Sequence, residues 1–451
     1  MTILKFYGGI GEVGGNKILL KDQDTEIFLD FGKNFERERQ YYDAPYLEPR
    51  EEKHLLALGI LPSIEGLYKN DEGMRDTAGI LLSHPHIDHM DYTRYIKDEI
   101  PIYCGETTKT IIVTREFTSR TGSSNYCIAN LTAQRGEEIF KKFETFRTGD
   151  IVNIGSIEIE PIHVDHSVPG AYGFIIRTSG GTIVYTGDFR LHGTRADMSF
   201  EFIEKAKVSK ADALIIEGTN VGEGKVSSEE EVKDKTAGIV AQTKALVIAS
   251  FSPVDIDRLR TFYEVAKANG RKLALSTKQA YLIEALKHDR GLSIFNLHDP
   301  DILIFARQKK SPRFWEKRLL ETYSSVVESA DLSQAQDEIV LSATFYDMNE
   351  MCDIQPESGT IFILSQSEPF NEEMEIDFKK LLNWMEYYGI PLYNIHASGH
   401  AAPLELKETI SQIAPKKVYL IHTERPKLYQ QFIRDLNIKT LCPEPAQEYQ
   451  I

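Results

Sequence analysis

Three histidines and an aspartate fall within six residues at His84-Pro85-His86-Ile87-Asp88-His89. Imidazole nitrogens bind zinc-type cations well, and a carboxylate adds compensating charge. Two imidazoles two residues apart, followed by a carboxylate and a third imidazole, can offer ligands to two adjacent cations. The chain has 12 histidines in 451 residues, so a polar loop that gathered three by chance is the weaker reading. His54, His192, His288 and His298 stand alone in the chain, and each reads as an ordinary surface or core residue.

Something must hold this cluster in place, and the apolar run before it predicts a strand, Ala78–Leu82, that anchors its base. Over roughly the first 220 residues, further strands are predicted at Ile27–Leu29, Ser156–Val164, Tyr172–Thr178, Thr182–Thr186 and Ala213–Glu217. Several run into polar residues (Asp30, Ser83-His84, Gly187-Asp188), and strand ends are where α/β sheets carry their sites. Residues 33–75 show no clear period and read as an irregular excursion. From about Asn220 the rhythm changes. Ser228 before three glutamates predicts a capped helix. Short apolar strands then alternate with helical stretches, the pattern of βαβ units on a parallel sheet. Ser252 before Pro253 offers a second cap, for a helix starting near Val254. The Lys309-Lys310 pair and the charged 229–235 stretch read as solvated faces.

Bulk properties narrow the setting. A net charge of −16 argues against a protein that coats nucleic acid through a broadly basic surface, so basic contacts would have to be local. No apolar run approaches the roughly 18 residues that span a bilayer, and the first residues resemble a strand entering a glycine loop rather than a secretion signal. Cys104, Cys127, Cys352 and Cys442 are widely spaced and form no Cys-x-x-Cys pair, which suits a reducing cytoplasm.

His-x-His-x-Asp-His after a strand resembles the signature of the metallo-β-lactamase superfamily, and the resemblance implies a histidine, an aspartate and a histidine downstream. His166 in His-Ser-Val-Pro, Asp188 in Thr-Gly-Asp-Phe and His422 in Leu-Ile-His-Thr match in order. His163 competes with His166, which is preferred because it matches the family's His-Ser-x-Pro form. By this likeness His84, His86 and His166 would hold one metal, Asp88, His89 and His422 the other, and Asp188 would bridge them. The flavodiiron branch carries a glutamate at the position of His86, so the imidazole favours zinc hydrolysis over redox iron. Glu217-Gly218-Thr219-Asn220 and His396-Ala397-Ser398-Gly399-His400-Ala401 are similar to the first and second motifs of the β-CASP nucleases, with His422 as the third. The opening Gly8-Gly9-Ile10-Gly11-Glu12-Val13-Gly14-Gly15-Asn16 is similar to that of the ribonuclease J family, in a compact form without its C-terminal domain. The implied fold is α/β: a metallo-β-lactamase αββα sandwich (1–218 and 389–451) with an inserted α/β β-CASP domain (219–388). Two departures stand out. The insertion has Ser250-Phe251-Ser252-Pro253-Val254-Asp255-Ile256-Asp257-Arg258 where the family usually has Phe-(Ala/Ser)-Ser-Asn-(Ile/Leu)-His-Arg. Thr423 replaces the usual glycine after the third-motif histidine.

The resemblance implies a ribonuclease acting 5′→3′ on single-stranded RNA, also able to cut internally, with two Zn2+ and with Mn2+ or Mg2+ as alternatives in activity. Asp88 would orient the attacking water. His400 would be the general acid and Glu217 its partner, while Ser250, Ser252, His396, Ser398, Gly399 and His400 would contact substrate. The competing readings for Ser250 and Ser252 are turn or cap residues. For His396 the alternative is a packed strand end, and for Glu217 a structural ion pair. A cytoplasmic homodimer is expected, as among the relatives. Competing functions are a β-CASP endonuclease acting on internal RNA or DNA sites, a non-catalytic RNA-binding subunit, and a small-molecule hydrolase.

Overall fold

The computed structural model describes all residues except 44–45, 119–140, 225, 310 and 367–371, so Cys127 and Lys310 lie outside the described residues. The chain divides into two compact units. Met1–Leu191, Arg195–Lys225 and Gly399–Ile451 form the first, and His192–Thr194 with Val226–Ser398 form the second. Among the described residues no helix is long and apolar enough to cross a membrane.

Two seven-stranded sheets build the first unit. The strand Thr2–Gly8 alternates buried and half-buried residues along its length, which turns Leu4 and Phe6 to one face. That face, with Ile18, Leu20, Ile27 and Leu29, packs on Ile159, Phe174, Ile176, Tyr185, Ile215 and Tyr419 of the other sheet, making the sandwich core. The outer faces bury against helices. Leu55, Tyr92 and Ile112 cover the first sheet, while Phe202, Ile203, Leu406, Ile410 and Tyr429 cover the second. This is an αββα layering. The excursion at 33–75 is more regular than its sequence predicts, since it holds the short helices Phe35–Arg39 and Glu52–Ala57. Leu55, Ile60, Leu61, Ile64, Leu67 and Tyr68 anchor it, at spacings too uneven to print a period.

The second unit carries a seven-stranded sheet, and its strand pairs all run parallel. Its inner strands, Val247–Ser250, Ile339–Ser342 and Ile361–Leu364, are buried throughout, as a sheet covered on both faces requires. Ser228 caps the helix Glu229–Gln242 by accepting from the Glu231 amide at 3.1 Å. The next helix corrects the sequence expectation. It is Ile256–Ala268, and Asp255 rather than Ser252 caps it, accepting from the Arg258 amide at 2.9 Å. A carboxylate reaches the N3 amide here, and Ser252 gives only its carbonyl to the Asp255 amide, at 3.0 Å.

Candidate metal centre

The donors sit just beyond strand ends of both sheets of the first unit. Gly79–Leu81 leads to His84, Ile157–His163 to His166, Gly181–Tyr185 to Asp188, Ala213–Ile216 to Glu217 and Lys417–Leu420 to His422. The loop with the first histidines turns into the one-turn helix Ile87–Met90, which places Asp88 and His89. Gly32 lets this turn approach closely. A Cβ there would sit 1.6 Å from the Asp88 carbonyl oxygen, so any side chain would push the turn away. The Asn16 amide donates to the same carbonyl at 3.2 Å.

Ring nitrogens converge in one group made by His84, His86 and His166. His84 Nε2 lies 3.1 Å and His166 Nε2 3.0 Å from His86 Nδ1. Asp88, His89, Asp188 and His422 form a second group, and within each group the ligand atoms lie within 4.8 Å of one another. Asp188 Oδ2 faces both, at 3.7 Å from His84 Nε2, 3.0 Å from His89 Nε2 and 3.7 Å from His422 Nε2. His422 Nε2 also lies 3.1 Å from Asp88 Oδ2.

Two observations test whether these residues suit divalent cations. Among the described residues, His89 Nε2 and both carboxylate oxygens of Asp188 are buried without a properly aligned hydrogen bond. Such orphans cost stability unless a ligand satisfies them. The outward ring nitrogens, by contrast, are satisfied. His84 Nδ1 meets Ser83 Oγ at 2.9 Å, His89 Nδ1 meets Asp30 Oδ2 at 2.8 Å, and His166 Nδ1 donates to the Gly399 carbonyl. An acceptor behind each of these three imidazoles leaves the inward nitrogen free to offer its lone pair, as metal-binding histidines require. The donor set fits divalent metal binding.

The charges agree. Burial holds His84 and His166 well below the ordinary imidazole value and His86 down at about 4, so all three are neutral donors at pH 7. For His89 burial disfavours the charged form, but Asp188, Asp88 and Asp30 outweigh it and raise the group well above its usual value. Burial alone would raise Asp88 and Asp188. The facing His89 and His422 overcome it and hold both carboxyls well below the usual range.

His400 and Glu217 stand beside this cluster. His400 Nδ1 is 3.3 Å from Glu217 Oε1 and 3.7 Å from Asp188 Oδ2, and a fifth (20%) of its side chain is exposed. Burial opposes its charge, but Glu217 and then Asp188 push it up to about 9. Glu217 is fully buried, and its Oε1 also accepts from the Ala401 amide at 3.2 Å. Asn220 Nδ2 donates to the His400 carbonyl at 2.8 Å. His163 stays outside the cluster, bonded to Thr148 Oγ1 at 2.8 Å and stacked on Tyr172.

Within the second unit, Ser250 is buried at a strand end and Ser252 is exposed. His396 and Ser398 are half-buried, and the Ser398 carbonyl accepts from His192 Nε2 at 3.0 Å. Arg258 is fully buried, held by Glu229 at 2.9 Å and by the carbonyl and hydroxyl of Ser365.

One residue that the sequence marks only as a polar strand end, with no role, belongs to the site. Asp30, with φ of 55°, accepts from the Ser83 amide at 2.7 Å, the Ser83 hydroxyl at 2.8 Å, His89 Nδ1 and the Tyr185 hydroxyl. It orients His89 and the loop of His84 at once. Its only sequence signal is an acid closing an apolar strand.

Comparison with known proteins agrees with this geometry. Residues 65–248 match the model of the beta-lactamase superfamily domain, and residues 392–443 that of the Zn-dependent metallo-hydrolase RNA specificity domain. The fold and site make this chain a metal-dependent hydrolase of the metallo-β-lactamase superfamily. Curated relatives include ribonuclease J of Mycoplasma genitalium, 23% identical over 94% of this chain and 68% of that protein. Another is ribonuclease J of Thermus thermophilus, 25% identical over 91% of this chain and 66% of that one. The chain thus spans about two thirds of the length of these relatives. A crystal structure of a protein of unknown function from Enterococcus faecalis V583 has the same fold, with a TM-score of 0.78, 22% identity and 100% of both chains covered. Within the superfamily, these matches are consistent with the β-CASP ribonuclease J family.

Proposed function

We propose that this protein is a metal-dependent ribonuclease that uses two Zn2+ ions to degrade single-stranded RNA from its 5′ end, with internal cleavage as a second mode. The observation that carries the reading is the convergence of two groups of nitrogen and oxygen donors beside a partly exposed histidine backed by a buried carboxylate. His84, His86 and His166 would hold one cation, Asp88, His89 and His422 the other, with Asp188 within reach of both. A bound cation pair supplies Lewis acidity that makes water nucleophilic near neutral pH and offsets phosphate charge. Asp88 orients the attacking water. His400, charged at neutral pH, donates a proton to the departing 3′ oxygen, a role worth about 10²–10⁴-fold. Glu217 keeps the His400 ring oriented and its proton in place. Gly399 and His400, and in the second unit Ser250, Ser252, His396 and Ser398, are the proposed contacts to substrate. The RNA assignment draws on the ribonuclease J relatives and on the RNA specificity domain match. In this reading the protein works in the cytoplasm as a homodimer, a state that light scattering measures.

The deciding experiment incubates 3′-labelled RNA bearing a 5′ monophosphate, and the same RNA with a 5′ hydroxyl, with wild-type protein, with Asp88→Ala and with chelator. Stepwise shortening from the monophosphate end, abolished by chelator and by Asp88→Ala, is the expected result. Discrete internal fragments regardless of the end would replace the exonuclease with an endonuclease. Intact RNA with both metals bound would remove RNA as the substrate.

A further inference from the structure

Thr219 stands where two histidines of the site meet. Its Oγ1 lies 2.8 Å from His422 Nδ1, 3.2 Å from His400 Nδ1 and 3.4 Å from the His422 carbonyl oxygen. The Thr219 amide is tied in turn to Glu217 Oε2 at 2.9 Å. A threonine just past a strand end is ordinarily a local turn residue, but here the hydroxyl reaches side chains about 180 and 200 positions away.

Counting protons gives each contact a direction. His422 turns Nε2 toward Asp88 and Asp188, so a cation bound there takes the lone pair of that nitrogen and leaves the ring proton on Nδ1. That proton needs an acceptor, and Thr219 Oγ1 is at hydrogen-bond distance. His400 Nδ1 faces Thr219 Oγ1, Glu217 Oε1 and Asp188 Oδ2, all of which can accept, so it too carries a proton. The hydroxyl's own hydrogen is then directed to the His422 carbonyl, the remaining acceptor in reach. One neutral oxygen receives from both rings.

We infer that Thr219 is a positioning residue whose hydroxyl fixes the ring tautomer of His422 and the orientation of His400 together, linking the second cation position to the proton donor. The inference rests on the reading of His422 as a cation ligand, and its test keeps the two apart.

Thr219→Val keeps the shape and loses the hydroxyl, while Thr219→Ser keeps the hydroxyl. Zn2+ affinity is measured by competition with a chromophoric chelator, alongside kcat and KM on RNA. In Thr219→Val, one of the two Zn2+ ions should bind about 10–100-fold more weakly, as when an acceptor behind a ligating histidine is removed, while the other is unchanged. kcat should fall with KM unchanged, and Thr219→Ser should restore both. Nitrogen-15 spectra of the zinc-loaded wild type should show His422 protonated at Nδ1, a readout that needs no variant to fold. Wild-type affinity for both ions in Thr219→Val, or a His422 ring without an Nδ1 proton, overturns the inference. If His422→Ala keeps both ions, the ligand reading itself fails and takes the inference with it. If His422→Ala loses one ion while Thr219→Val loses none, only the role of Thr219 fails.

Discussion

The cluster around Asp188 and the strand-end segment 250–260 of the second unit are both rich in polar side chains, yet they use them in opposite ways. Around Asp188, buried donors point inward at one another, and His89 Nε2 and both Asp188 oxygens remain without an aligned partner. In the other segment the charges answer each other. Arg258 is enclosed by Glu229 and Ser365, Asp255 caps its helix, and Asp257 pairs with Arg260 at 3.4 Å. A buried polar group without a partner costs free energy that only a ligand returns, whereas a satisfied network returns it through the fold. Buried atoms without a partner also occur elsewhere, at Trp315 and Thr360 among others, so it is such atoms together with converging ligand types that mark the chemical site.

The comparison breaks most visibly at Asp188. Asp188→Ala should lower the bound metal below two per chain, read by elemental analysis. Lewis acidity worth several kcal/mol disappears with it, so cleavage should fall by about 10³-fold or more. If both ions are retained, the orphaned oxygens do not mark a ligand.

His400→Ala should cost about 10²–10⁴-fold in kcat with both ions still bound. The pH profile sharpens this. Glu217 and Asp188 hold the His400 proton on up to about pH 9. Activity that needs this proton persists below that value and falls as pH rises through it. Bound cations add positive charge and pull the limb down, so the diagnostic is its displacement. Glu217→Gln removes the largest raising influence and should move the alkaline limb to lower pH. An unmoved limb would take the proton-donor role from His400.

The second region should respond in stability. Arg258→Ala removes the guanidinium that the buried Glu229 faces at 2.9 Å, at a cost of about 3–5 kcal/mol in denaturant unfolding. The folded fraction should bind as much metal as the wild type. Weaker RNA binding with unchanged stability would instead make Arg258 a substrate contact. Ser250→Ala and Ser252→Ala should have the smallest effect, a rise in KM of a few fold with kcat unchanged, as the loss of one hydrogen bond of about 0.5–1.5 kcal/mol implies. Flat kinetics in both would leave them as turn residues.

How much was legible follows from how local each signal is. The strand Tyr172–Thr178 and the cap at Ser228 read directly from the chain, because a short apolar run and a capping pattern both involve neighbours in sequence. The His84–His89 group reads as readily, since improbable composition within six residues needs no partner to be noticed. The helix after Ser250 starts two residues beyond the expected Val254, because Ser252-Pro253 and Asp255 are equally good local caps. Geometry alone, with the Asp255 carboxylate on the Arg258 amide, decides between them. Asp30 and Thr219 give almost no signal in the chain. A lone acid or threonine at a strand end is common, and their importance comes from His89, His400 and His422, which are far away in sequence.

The sequence by itself therefore determined the donor types, the strands that end beside them and the order of the motifs, all of which depend on residue identity and short-range spacing. Only the tertiary structure decided that residues from 84 to 422 converge, which ring nitrogen of each histidine faces inward and which polar groups are already satisfied. The physical reason is that convergence depends on strands paired across hundreds of residues, and satisfaction depends on partners that no local pattern contains.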